Sequence, residues 1–209
     1  MTESDFNTKE KILSAAWEEF ALYGYAGARM QRIAEKSKAN KAMIYYYFGS
    51  KDELFESIIT QSFRQLFDRI ESVAVDEERS IQDKISMLVE QHIDFMRKNP
   101  HLPSIFIREI NQANPITIRV VKKLFQRSER SGVNPLVKMI ETAASRGEIK
   151  PVDTMQLVWN LIAMNIFYFI TRPVLNEIWL HEESNEEEIL QSRKEAIVDM
   201  VLHGVLPRS

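Results

Sequence analysis

Residues 24–54 read GYAGARMQRIAEKSKANKAMIYYYFGSKDEL, and the spacing of apolar residues in this stretch decides the fold. Met30, Ile33 and Ala34 recur at helical spacing and leave Gln31, Arg32 and Glu35 on the other side of a short helix. After Ser37, Lys38 and Ala39, Asn40 is placed to cap a second helix, because its side-chain oxygen can accept from an unpaired backbone N–H. Ile44 and Phe48 then stack one turn apart and point inward, which turns Lys41, Ala42, Tyr45 and Tyr46 toward solvent. Ser50 and Glu53 form an S-x-x-E capping box for the next helix, and Lys51 beside that N-terminus makes a natural phosphate site.

Charge points the same way. Between Arg29 and Lys51 the basic residues are Arg29, Arg32, Lys36, Lys38, Lys41 and Lys51 against Glu35 alone, roughly +5 in a chain of formal net charge -3. A basic patch on a mildly acidic protein marks one committed docking face, whereas a protein that coats nucleic acid is basic throughout. Two short helices across a tight turn, one displaying lysine and phenols, predict a DNA-binding helix-turn-helix.

Residues 8–55 resemble the TetR family of bacterial transcriptional regulators, through the Ile33-Ala34 pair, the Y-Y-x-F run at Tyr45 to Phe48 and the S-K-x-E-L segment at Ser50 to Leu54. The resemblance implies that Gln31, Lys41, Ala42 and Met43 lie nearest base edges. It places Tyr45, Tyr46, Tyr47 and Lys51 on phosphates. Two departures stand out: Lys38 occupies the motif turn where the family has Gly, and Ala28-Arg29 precede the first motif helix where the family has Thr. A non-Gly residue at positive φ costs about 1 kcal/mol, and Arg29 offers phosphate a charge in place of a hydroxyl.

The 209 residues suffice for two small domains, read here as a DNA-binding domain over residues 1–52 and a helical regulatory and dimerisation domain over 53–209. A composition of 44% hydrophobic and 27% charged residues is that of a globular protein, and the absence of cysteine excludes disulfide frameworks and thiolate metal sites. The polar start MTESDFNTKEK lacks the apolar stretch of a signal peptide and predicts a cytoplasmic protein.

Helical patterns cover the rest, so the fold class is all-α. A first helix over residues 8–23 stops at Gly24, and a long one over 51–73 leaves the motif with Leu54, Phe55, Ile58, Ile59, Leu66, Phe67 and Ile70 at a/d-like spacing. Further helices are predicted over 81–98, 103–112, 115–131 and 134–146, then from Asp153, and over 185–203. The stretch LVWNLIAMNIFYFI at 157–170 is too short for a membrane span when Thr171-Arg172-Pro173 closes it, so a buried helix is expected and no membrane partner.

Being apolar on nearly all sides, that helix needs a second packing partner. The resemblance supplies one, a homodimer through the last two long helices, with Leu157, Leu161, Ile189, Ile197, Val198, Val201 and Leu202 as candidate interface. Two copies of a recognition helix would then read a palindromic operator. The resemblance also implies a small effector bound among the helices. Candidate lining residues are Phe63, Phe67, Met87, Phe95, Phe106, Trp159, Phe167 and Tyr168, with His92, Glu109, Asn160 and Asn165 as polar residues able to orient a largely apolar ligand.

Catalysis finds little in the sequence: there is no H-E-x-x-H, no Gly-rich phosphate loop, and His92, His101, His181 and His203 are scattered. Glu177 and His181 stand four apart, and two ligands do not make a metal site. No cofactor is expected. Two other classes stay open at this stage, an effector-independent architectural or partner-binding DNA protein and an all-α enzyme with an unrecognised pocket.

Overall fold

The computed structural model describes residues 3–126, 134–178 and 185–207, and among these every regular element is an α-helix. They are α1 (Glu3–Gly27), α2 (Met30–Ser37), α3 (Lys41–Phe48), α4 (Lys51–Ala74), α5 (Ile81–Lys98), α6 (Leu102–Asn111), α7 (Pro115–Gln126), α8 (Asn134–Ser145), α9 (Thr154–Ile178) and α10 (Glu186–Val205). They form two compact units that interleave along the chain. One comprises Met1–Arg64 with His101–Leu124; the other comprises Gln65–Pro100 with Phe125–Ser209. A single cut at residue 52 follows chain order, whereas packing assigns α6 and α7 to the unit that holds the motif.

In the first unit α1 buries Ile12, Leu13, Ala15, Ala16 and Phe20, the stripe its 3.6-residue period predicts. The predicted stop at Gly24 is a break within a longer element: Gly24 has φ 67 and ψ 176, after which the chain coils on to Gly27. This turn seats Tyr25 against Phe55 of α4, ring centroids 5.2 Å apart, and Phe20 meets Phe55 edge-on at 4.9 Å. Leu54, Phe55, Ile58 and Ile59 of α4 are fully buried. Glu56 fastens α7 to α4 through Arg119 at 2.8 Å and Lys123 at 2.9 Å, and both cations hold its carboxyl below the usual range.

In the second unit α9 packs on α5, α8 and α10. Its described length corrects the argument from a short apolar stretch, because the helix continues through Pro173 to Ile178 and is long and apolar enough to cross a membrane by length and composition alone. One side of it, Val158, Leu161, Asn165, Tyr168 and Phe169, is buried within its own chain. The other carries Met155, Trp159, Phe167, Val174 and Ile178, all exposed. The helix predicted over 115–131 ends at Gln126 among the described residues, and residues 127–133 lie outside them, as does His181.

Candidate nucleic-acid interface

The turn between α2 and α3 is built on Lys38, which adopts φ 55 and ψ 23 and donates its N–H to Glu35 O at 3.3 Å. The position that usually takes glycine therefore keeps its left-handed conformation with a lysine in it, and the side chain bears the strain. Asn40 caps α3: its Oδ1 accepts from Met43 N–H at 2.7 Å. The capping box at α4 differs from the expected reciprocal form. Ser50 Oγ accepts from Glu53 N–H at 3.1 Å, but the Glu53 carboxylate takes the Ser50 hydroxyl at 3.0 Å, and Ser50 N–H goes to Phe48 O.

Ile44 and Phe48 are buried, while Lys41, Ala42, Tyr45 and Tyr46 are exposed, Tyr46 to 83%. Met43 and Tyr47 are half-buried, and the Tyr46 and Tyr47 rings meet edge-on at 5.3 Å. Gln31 is exposed and hydrogen-bonds Glu35 at 3.0 Å. Lys51 is half-buried with its ammonium 4.7 Å from the Tyr25 ring centroid; burial lowers its pKa, against the nearby charges of Asp52, Glu109 and Glu19.

Acidic residues of α1 thin the positive charge of the stretch from Arg29 to Lys51. Fully buried Glu19 accepts from Arg32 Nε at 2.6 Å and from Arg29 N–H at 3.0 Å, and Lys36 approaches Glu18 at 3.5 Å. Burial alone would raise the Glu19 carboxyl; the Arg32 and Arg29 hydrogen bonds, with the charges of Arg32 and Lys36, hold it below the usual range. Arg32 also donates to Gly27 O at 2.8 Å and stacks 4.1 Å from the Tyr23 ring. Arg32 is thus a brace between α1 and α2. The side chains of Arg29, Lys38 and Lys41 form no ion pair among the described residues, so they carry the charge of the face.

A model of bacterial regulatory proteins of the tetR family matches residues 12–58, and one of the tetracyclin repressor-like C-terminal domain matches residues 82–201. The chain belongs to the TetR family. This TetR-family chain is 30% identical to the HTH-type transcriptional repressor NicS of Pseudomonas putida, over 95% of its own length and 92% of that protein. It is 40% identical to the HTH-type transcriptional repressor SCO4008 of Streptomyces coelicolor over 95 residues, a match spanning 46% of this chain and 45% of that repressor. Its fold matches the transcriptional regulator FadR of Bacillus subtilis, solved in complex with stearoyl-CoA, at TM-score 0.71 and 17% identity over 94% and 98% of the two chains. The protein is a helix-turn-helix transcriptional regulator.

The candidate ligand and interface residues of this TetR-family chain are distributed differently from the sequence reading. Phe63, Phe106 and Glu109 belong to the first unit, with the two rings 5.2 Å apart and Glu109 fully buried. Phe67, Met87, His92, Phe95 and Tyr168 belong to the second, buried or half-buried. There His92 Nδ1 lies 3.2 Å from Asn165 Nδ2. Trp159, Asn160 and Phe167 are exposed, so in this chain they face outward rather than line an interior. Conversely, Leu161, Ile197 and Val201 are buried inside the subunit, and Leu157, Ile189, Val198 and Leu202 are half-buried. On α9 the reason is that the helix is apolar on both sides, so periodicity cannot say which side turns inward.

Tyr25, Glu19 and Asp52 also build the interface region and escaped sequence reading, because their partners lie ten or more residues away along the chain.

Proposed function

We propose that the protein is a repressor that binds palindromic operator DNA as a homodimer and is released by a small, largely apolar effector. The exposed face of α3 carries this reading: Lys41, Ala42, Tyr45 and Tyr46 in solvent, over a helix pinned by Ile44, Phe48 and the Asn40 cap. Lys41, Ala42 and Met43, with Gln31 from α2, read base edges. Arg29, Tyr45, Tyr46, Tyr47 and Lys51 hold phosphates and set the register.

The second copy covers the apolar side of α9 at Met155, Trp159, Phe167, Val174 and Ile178, with Met200 of α10. A patch of this kind, too apolar for an ordinary surface, is the feature that supports self-association. An apolar effector is supported by the buried aromatic side chains of the second unit and by the buried pair His92 and Asn165, where Asn165 Oδ1 has no hydrogen-bond partner among the described residues. It acts from the cytoplasm on double-stranded DNA.

The test of the reading is paired substitution. Tyr46→Ala and Lys51→Ala should weaken binding to all duplexes alike, whereas Lys41→Ala should also change which sequence is preferred. Equal losses on every sequence for Lys41→Ala would remove it from the base-reading set.

A further inference from the structure

We propose that Glu109 is a positioning residue for DNA binding, acting through Tyr25 to hold Lys51 in its phosphate-facing place. This rests on the reading of Lys51 as a phosphate contact.

Glu109 is a carboxylate at 0% exposure near the carboxy-terminal end of α6, and no ion pair reaches it among the described residues. Its oxygens are instead shared between two neutral donors. Oε1 accepts the backbone N–H of Tyr25 at 2.8 Å, 84 residues away along the chain, and Oε2 accepts Asn114 Nδ2 at 2.6 Å. Burying a charge is costly unless its hydrogen bonds are complete, so the geometry around it is tightly specified.

The backbone it grips follows the Gly24 break. At φ 67 a side chain on Gly24 is disfavoured, and a Cβ there would stand 2.9 Å from Arg108 Cδ and 3.2 Å from Glu109 Oε1. The chain thus passes directly against α6, with Arg108 donating to Ala21 O at 3.2 Å on the same side. Asn114 completes the anchor, since its Oδ1 accepts from Ile116 N–H at 2.9 Å and caps α7.

Tyr25 carries the constraint onward. Its ring lies under the Lys51 ammonium and against Phe55, and its hydroxyl donates to Asp52. Burial, the Asp52 hydrogen bond and the charges of Asp52 and Glu109 push the phenol up to about 12, so it remains a donor at any working pH. One residue therefore has its backbone fixed by α6 and its side chain fixed to the first turn of α4. With Tyr25 free to move, Lys51 loses the surface on which it lies.

Glutamine cannot replace Glu109 here, because it offers one acceptor oxygen to two donors. A compensating change exists: with Asn114→Asp added, the new amide oxygen takes Tyr25 N–H and its NH2 donates to the new carboxylate, which still caps Ile116.

The experiment measures binding of the full-length protein to a mixed-sequence duplex across a salt series. Losing one phosphate contact lowers the slope of log K against log salt by about 0.9 per subunit. Lys51→Ala should show that drop, Glu109→Gln should reproduce it, the double variant should lose no more than Lys51→Ala, and Glu109→Gln with Asn114→Asp should recover the wild-type slope. Should Glu109→Gln fail to fold, Tyr25→Leu, which keeps the N–H to Glu109 and removes the ring and hydroxyl, should give the same slope and the same lack of additivity with Lys51→Ala. If Lys51→Ala weakens binding while Glu109→Gln or Tyr25→Leu binds as wild type, or if the losses multiply, the positioning role is overturned. If Lys51→Ala itself binds as wild type, the phosphate reading is at fault and the proposal falls with it.

Discussion

Acidification tests the packing of the second unit through a single group. His92 is buried beside Asn165, and burial alone lowers its pKa from 6.5 to about 4. The unfolded chain therefore binds a proton at a pH where the folded chain does not, and stability falls as pH falls from 6.5 toward 4. With these two values the loss on going from about pH 7.5 to about pH 5 is about 2 kcal/mol, and it levels off near about 3 kcal/mol once both states are protonated. The sign is that of a group kept neutral in the fold: its contribution is whole above the unfolded pKa and gone below the folded one. Urea unfolding of wild type and His92→Gln at one protein concentration, at several pH values, isolates the effect. Ion pairs such as Lys194 with Asp94 and Glu90 are common to both proteins and cancel in the comparison. The wild type should lose about 2 kcal/mol more than the variant over this interval. Parallel pH profiles for the two would refute a buried neutral imidazole.

Three further outcomes follow from local geometry. Asn40→Ala should cost about 1 kcal/mol and speed exchange of the Met43 amide, while Asn40→Asp keeps both near wild type; equal behaviour of the two variants would deny the cap. At the left-handed turn, Lys38→Asn should leave thermal stability unchanged or slightly raised, and Lys38→Val should cost about 1–3 kcal/mol, with equal melting of both counting against strain at this residue. Trp159→Glu combined with Phe167→Glu should give a folded monomer by sedimentation, whereas Leu161→Glu, buried in its own subunit, should unfold the chain; a double variant that stays dimeric would move the interface elsewhere.

What the sequence made legible was local. The Asn40 cap, the inward pair Ile44 and Phe48, the break at Gly24 and the strained turn at Lys38 each depend on residues within one or two helical turns, where periodicity and capping chemistry decide the outcome. Relations across the chain were not legible. Glu19 pairs with Arg32 from 13 residues away, and Glu109 reaches Tyr25 from 84 residues on, with no spacing rule to announce either. Pro173 read as a stop, yet α9 passes through it, because a proline costs a helix one hydrogen bond that long flanking turns can absorb. The choice of inward face on α9 was likewise hidden, since a helix apolar on every side leaves the decision to its neighbours.

Two copies of α3 reading one DNA sequence together should leave their spacing in the DNA that the protein selects. Bound duplexes are to be selected from a random pool by the full-length protein at near-physiological salt. The expected product is a palindrome whose half-sites lie about 10 base pairs apart, centre to centre, or a multiple of that spacing. A pool that emerges without sequence preference, or one enriched only for a single unrepeated half-site, would contradict it.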